Sequence, residues 1–276
     1  VNAPGEPAMV WGEGLRFRDS ALWLSDTQGS RLWTDSSGRW TPFELDSPSN
    51  GLWFLPDGSL VGALMHERKV GMWDGNRWRT YADLEKVAIG PLGDMVGDSR
   101  GNLYVDDVGF NAGAGEQPVA GRVLLVRPDG TSLVVASELL MPNGLVLVDG
   151  GQTLLVVETV GQRIVAFDVN ADGSLGGRRL YADLAVLIGP DVKPDGACTA
   201  ADDGIWVADL NGCVMAKVIE GSVVRTTSTA PKHPISCCVR DDGMLIVAAA
   251  TLPDLPLHDA LRSGQVRASL VEAGSA

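Results

Sequence analysis

Residues 141–159 read MPNGLVLVDGGQTLLVVET. A small polar residue, Asn143, stands directly before a glycine. An apolar run of strand length follows, then the turn DGGQ, then a second apolar run. Apolar runs joined by Asp-Gly pairs read as hairpins, because glycine accepts positive φ at little cost. The arrangement returns at residues 48–63 (PSNGLWFLPDGSLVGA) and 193–209 (KPDGACTAADDGIWVAD), and more weakly at 11–26 (WGEGLRFRDSALWLSD).

Aligned on the start of each first strand, the units begin at Gly14, Gly51, Asp94, Gly144, Gly196 and Ser236, spaced 37, 43, 50, 52 and 40 residues apart. Third strands are predicted at KVGMWD, RVLLVRPDG and RIVAFDVNADG, and fourth strands at RWRTYADL, SLVVASEL and RRLYADL. Four strands in a unit of roughly 40–50 residues, repeated, mark the blade of a propeller. The expectation is an all-β, six-bladed propeller of four-stranded antiparallel blades, a single domain over residues 1–276. The last unit supplies three strands of its own. AMVW, residues 8–11, is predicted to add the fourth, so that strands from both chain ends close the ring and leave no open edge.

The composition agrees with a well-filled β fold. Hydrophobic residues make up 45% of the 276 residues, with 34 glycines and 15 prolines for turns. The net charge of −13 argues against nucleic acid and anionic membranes as partners. No apolar run is long enough to span a bilayer, and the first residues lack the pattern of a signal peptide. Cys198, Cys213, Cys237 and Cys238 show no C-x-x-C spacing, so they read as buried free thiols in a reducing cytoplasm. Cys237 and Cys238, adjacent on one strand, are predicted to face opposite sides of it.

Blade topology gives the repeated polar residue a direction. If each inner strand starts on one face of the disc, the residue before each start points at the mouth of the central channel. Those residues are Glu13, Asn50, Gly93, Asn143, Asp195 and Ile235. Two carboxylates and an amide oxygen from separate blades suit a hard divalent cation: Ca²⁺ first, with Mg²⁺, Mn²⁺ or Zn²⁺ as other occupants. The same topology brings the ends of the second strands, and the loops after them, to this face. They add Asp26, Thr27, His66, Asp107, Phe110, Glu158, Asp209 and Asn211 as mouth-facing candidates. The glycine-rich loop 109–122 is placed there as a lid or specificity loop. His233 and His258 read as structural or solvated.

These motifs resemble the gluconolactonase, regucalcin and luciferin-regenerating enzyme family, through most of the chain. The resemblance implies one divalent metal at the channel mouth. Its ligands would be Glu13 in Gly-Glu-Gly, Asn143 after proline, and Asp195, with Asp195 also the acid/base of lactone hydrolysis. The cation would polarise the lactone carbonyl and lower the pKa of the attacking water, and Asp195 would take the proton. Asn50, His66, Asp94, Phe110 and Glu158 are the expected substrate contacts. Two departures point away from gluconolactone itself. Gly93 stands where the family commonly has Asn, and Pro91 stands where some members carry Arg. The expected partner is a small molecule, acted on by a monomer or homodimer. The readings set against hydrolysis are another small-molecule conversion, such as a cyclisation, and a non-catalytic metal- or metabolite-binding propeller.

Overall fold

A computed structural model describes residues 7–111, 114–200, 202 and 204–275. Six antiparallel sheets follow one another along the chain. Blade one holds β1 (Gly12–Arg18), β2 (Ala21–Asp26), β3 (Arg31–Thr34) and β4 (Thr41–Glu44). Blade two holds β5 (Ser49–Phe54), β6 (Leu60–Leu64), β7 (Lys69–Trp73) and β8 (Trp78–Asp83). Blade three holds β9 (Leu92–Gly97), β10 (Leu103–Asp107), β11 (Gly121–Val126) and β12 (Ser132–Leu139). Blade four holds β13 (Pro142–Val148), β14 (Thr153–Glu158), β15 (Arg163–Val169) and β16 (Leu175–Asp183). Blade five holds β17 (Pro194–Thr199), β18 (Ile205–Asp209), β19 (Val214–Ile219) and β20 (Ser222–Ser228). Blade six holds β21 (His233–Val239), β22 (Met244–Thr251) and β23 (Arg267–Ser275).

Neighbouring inner strands touch in the order β1, β5, β9, β13, β17, β21 and back to β1, so the ring is closed. Apolar clusters fill the wedges between blades. Leu145, Val156 and Val165 of blade four pack with Tyr104, Val123 and Leu125 of blade three. At the seam, Leu15 and Leu24 pack with Ile235, Ile246 and Ala248.

The repeated unit has a structural counterpart. Every inner strand slips in register against its second strand near its start: between Glu13 and Arg16, Ser49 and Leu52, Leu92 and Met95, Pro142 and Leu145, Pro194 and Ala197, and Pro234 and Ser236. Such bulges re-aim a side chain and tighten the local twist. The glycine after the polar residue makes room for the next blade. A Cβ on Gly51 would lie 2.5 Å from Met95 N of blade three, and one on Gly144 would lie 2.6 Å from Ala197 N of blade five. A real Cβ does not come that close to backbone. At the seam Ser236 bridges instead, with its hydroxyl at 3.3 Å from both Gly12 O and Leu15 N.

Blade six departs from the expectation. Among the described residues its sheet has three strands, and residues 7–11 contribute a single bridge, Met9 to Ala268, rather than a strand. Donors that a longer ladder would need are already used. Val10 N and Trp11 N both bond to the Asp26 carboxylate, at 3.1 and 2.9 Å. The carboxylate turns the segment into blade one after one rung.

Candidate active site at the channel mouth

The register slips deliver Asn143 and Asp195 from blades four and five to one place, and Glu13, the last paired residue before the slip of blade one, comes near enough for its carboxyl to feel the charge of Asp195. Asn143 Nδ2 donates to Asp195 Oδ1 and, at 3.3 Å, to Thr159 Oγ1. Thr159 in turn donates to Pro194 O at 2.7 Å, which ties blade four to blade five beneath the pair. Trp11 Nε1 donates to Glu13 Oε1 at 2.9 Å.

The electrostatics are those of crowded acids. Burial pushes the Asp195 carboxyl up to about 7; the Asn143 hydrogen bond and the Lys193 ammonium oppose this, and Asp94 adds to it. Burial also holds Glu13 well above the usual carboxylate range, reinforced by the negative charges of Asp195 and Asp94, with Trp11 and Arg16 pulling the other way. A cation at this spot would relieve both groups, since each is raised by losing water and, in part, by facing like charge. Among the described residues no three His, Cys, Asp or Glu side chains converge as a metal-binding group. The three converging here are two carboxylates and an amide, an all-oxygen donor set that fits a hard divalent ion.

Asp94 also belongs to the site. It is 7% exposed, its charge reaches Glu13 and Asp195, and its Oδ1 pairs with Arg16 at 2.9 Å. Arg16 also bonds Met95 O at 2.8 Å and lies over the Trp53 ring, 5.6 Å from the centroid. It thus lies beneath the mouth, at the top of a cavity of about 220 Å³ lined further along the inner strands by Trp53, Leu145, Cys198 and Cys237. Arg16, Lys193, Thr159 and Trp11 were not singled out from the sequence. Only Trp11 and Lys193 carried a signal there, each standing two residues before a slip carboxylate.

The other expected contacts divide. Asn50 occupies the slip of blade two, partly exposed. Phe110 is buried, 5% exposed, at the start of loop 109–122. Residues 112 and 113 of that loop lie outside the described residues. His66 is exposed in the turn between β6 and β7. Glu158 is fully buried, but its contacts run outward, to Leu140 N at 2.8 Å and to Arg163 and Arg178.

Glu158 is one of a set. Topology put Asp26, Asp107, Glu158 and Asp209 at the mouth, yet each caps the backbone of the segment entering its own blade. Asp107 takes Ile89 N and Gly90 N at 2.7 and 2.8 Å, and Asp209 takes Lys193 N at 2.9 Å. A buried carboxylate satisfied by backbone N–H groups is a structural part. These acids hold the slip residues in place from behind.

All four cysteines are free. Cys237 and Cys238 are buried in different clusters, on opposite sides of β21, as their adjacency implied. Cys198 and Cys213 are only partly buried, and Cys198 Sγ lies 3.2 Å from Cys237 Sγ.

The sequence profile of the SMP-30/gluconolactonase/LRE-like region matches residues 11–251. Solved structures give the same answer for the fold. A luciferin-regenerating enzyme superposes with a TM-score of 0.79 at 20% identity, covering 97% of this chain and 91% of that one. A gluconolactonase from Xanthomonas campestris gives 0.76 at 20% identity, over 97% and 88%. Regucalcin from Agrobacterium tumefaciens, described as a calcium-binding protein, gives 0.78 at 18% identity, over 96% and 91%. A closed ring of six blades, one site built from their register slips and a profile match over most of the chain agree: this protein belongs to the SMP-30/gluconolactonase/LRE-like family.

Proposed function

We propose that this protein is a metal-dependent hydrolase of a small-molecule lactone or related ester. The observation that carries the reading is the convergence of Glu13, Asn143 and Asp195 on one spot, where burial and like charge raise both carboxyls. A divalent cation held by these three oxygens would polarise the ester carbonyl and acidify the attacking water. Ca²⁺ suits the donor set best. Asp195 is the base. The residue is 8% exposed and its carboxyl is oriented by the Asn143 amide, so it faces the site from a fixed direction. Lys193 sits near enough to influence Asp195 and favours its ionised form. The Arg16–Asp94 pair closes the site from below.

One observation favours a second reading. Gly93 brings no side chain to the mouth at the first slip position, where blades two, four and five carry Asn50, Asn143 and Asp195. A propeller recruited for a mass-neutral conversion, such as a cyclisation, or for binding alone, would tolerate that loss. With four free cysteines, we place the protein in a reducing cytoplasm.

A panel of lactones assayed with Ca²⁺ and with chelator tests the reading. Hydrolysis that chelation abolishes and Ca²⁺ restores is expected. Failure of the metal-loaded protein to hydrolyse any lactone would overturn it, and a product of unchanged mass would move the assignment to the second reading.

A further inference from the structure

The inner strands of blades five and six bring two thiols together. Cys198 and Cys237 are each the second paired residue past the register slip of their own inner strand, β17 and β21. The two strands run close at that slip: a Cβ on Gly196 would fall 2.6 Å from Ile235 O. Side chains on a strand return to the same face every second residue. Two positions on from Gly196 and Ile235 stand Cys198 and Cys237, and Cys237 Sγ donates to Cys198 Sγ at 3.2 Å.

The pair is asymmetric. Cys198 is partly exposed, whereas Cys237 is 1% exposed. Both line the cavity of about 220 Å³ that begins beneath Arg16. That cavity follows the inner strands away from the mouth to their far ends, at Phe17, Leu147 and Thr199, and Thr199 is exposed. Cys198 is thus within reach of a small solute from the face opposite the mouth. Burial, and then the hydrogen bond with Cys198, pushes the Cys237 thiol well above its usual range, so it stays protonated behind its neighbour.

The other two thiols have different surroundings. Cys213 lies 3.5 Å from His233 Nδ1. Cys238 borders the same cavity but packs with Leu15 and Leu24 at the ring seam, on the opposite side of β21 from Cys237. A disulfide holds its sulfurs about 2.05 Å apart. Cys198 and Cys237 must close by about 1 Å to reach that length, and the cavity beside them gives the side chains room to turn.

We propose that Cys198 and Cys237 form a redox-active dithiol, oxidised by a small hydroperoxide to a disulfide that bridges blades five and six. The Cys198 sulfur attacks one peroxide oxygen and the O–O bond breaks. Cys198 becomes a sulfenic acid, and its former proton leaves with the other oxygen, as water when the oxidant is hydrogen peroxide. The Cys237 sulfur then attacks the Cys198 sulfur. The S–O bond breaks, and the departing hydroxyl takes the Cys237 proton to form a second water. Two thiols lose two electrons and two protons, and the peroxide is reduced. A small thiol such as glutathione reverses the bond by exchange, so in a reducing compartment the dithiol is the resting form. The bridge ties the strand that carries Asp195 to the strand at the ring seam. Neither the metal nor a lactone takes part in it.

The test treats full-length protein with a small excess of hydrogen peroxide, unfolds it, counts free thiols and reads the intact mass. The wild type is expected to fall from four free thiols to two, with dithiothreitol restoring all four. Cys213→Ala combined with Cys238→Ala leaves only the proposed pair. That variant is expected to lose both thiols and the mass of two hydrogens, with no covalent dimer on a non-reducing gel. Cys198→Ala should form no bridge. Cys237→Ala should stop at the Cys198 sulfenic acid, which dimedone captures. A wild type that keeps all its thiols in peroxide would overturn the proposal. So would a bridge between two chains, or one joining Cys198 to Cys238, either of which peptide mapping of the oxidised wild type reveals. The wild-type map needs no substitution, so a variant that fails to fold leaves the test standing.

Discussion

In the proposed function metal binding and proton transfer both fall to Asp195, and Asp195→Asn separates them. The substitution keeps the shape and one oxygen but removes the charge and the base. If Asp195 only held the cation, excess Ca²⁺ would restore turnover. As the base, its loss should leave turnover about 10²–10⁴-fold down with the site saturated. Steady-state hydrolysis against calcium concentration makes the distinction, and near-normal turnover at saturation would remove the base assignment. Glu13, Asn143 and Asp195 were legible in the sequence, because each precedes a glycine at a repeated strand start. Asp106, whose buried carboxyl packs against Gly93 and accepts from Asp94 N at 2.8 Å, was not, since nothing in VDDVGF says which aspartate turns toward the slip. Glu158 was read as mouth-facing because its strand ends on that face. The chain path was right, but its side chain is spent on Leu140 N and two arginines.

Among the elements, the hairpins were the most readable and the outer strands the least. The β9–β10 hairpin shows how one turn residue holds two strands. Asp98 Oδ1 accepts from Arg100 N and Asn102 N, each at 2.9 Å, while Oδ2 accepts from Asn102 Nδ2 at 2.8 Å and pairs with Arg100. Burial would raise this carboxyl, but the hydrogen bonds from Asn102 and Arg100 outweigh it, and the net shift is downward from 3.8. A group held below its unfolded value contributes stability that is present above that value and lost as pH falls through the folded value. Asp98→Asn should therefore cost about 1–2 kcal/mol near neutrality. The gap from wild type should narrow as pH drops below about 4. Chemical denaturation of both proteins at neutral and acidic pH measures this, and a gap independent of pH would refute it. The outer strand proposed for residues 8–11 failed for a local reason. An acid on β2 took the N–H groups that the strand needed.

At the scale of the whole molecule, blades one, three, four and five pool residues that are far apart in the chain into one spot rich in carboxyls. That spot opposes folding unless something neutralises it, so a bound cation should stabilise the entire ring. With Ca²⁺ at about 100 times its Kd the gain is about 2.7 kcal/mol, and the expected rise in melting temperature is about 5–10 °C. Glu13→Gln should displace the response to higher calcium. Differential scanning calorimetry across a calcium series reads both, and a melting temperature indifferent to every divalent ion would count against the site. No helix of the described residues is long and apolar enough to cross a membrane. By itself the sequence determined the blade count, the hairpin turns and three of the residues at the mouth, because these are written in local periodicity and in the polar-glycine pair that recurs with each blade. Tertiary structure alone decided that Arg16 pairs with Asp94 across 78 positions of sequence, that the strand-end acids face backbone rather than ligand, and that Asp106 fills the space left by Gly93. Those outcomes depend on the distances and directions between side chains that exist only once the blades close on a common axis, and no local pattern carries that information.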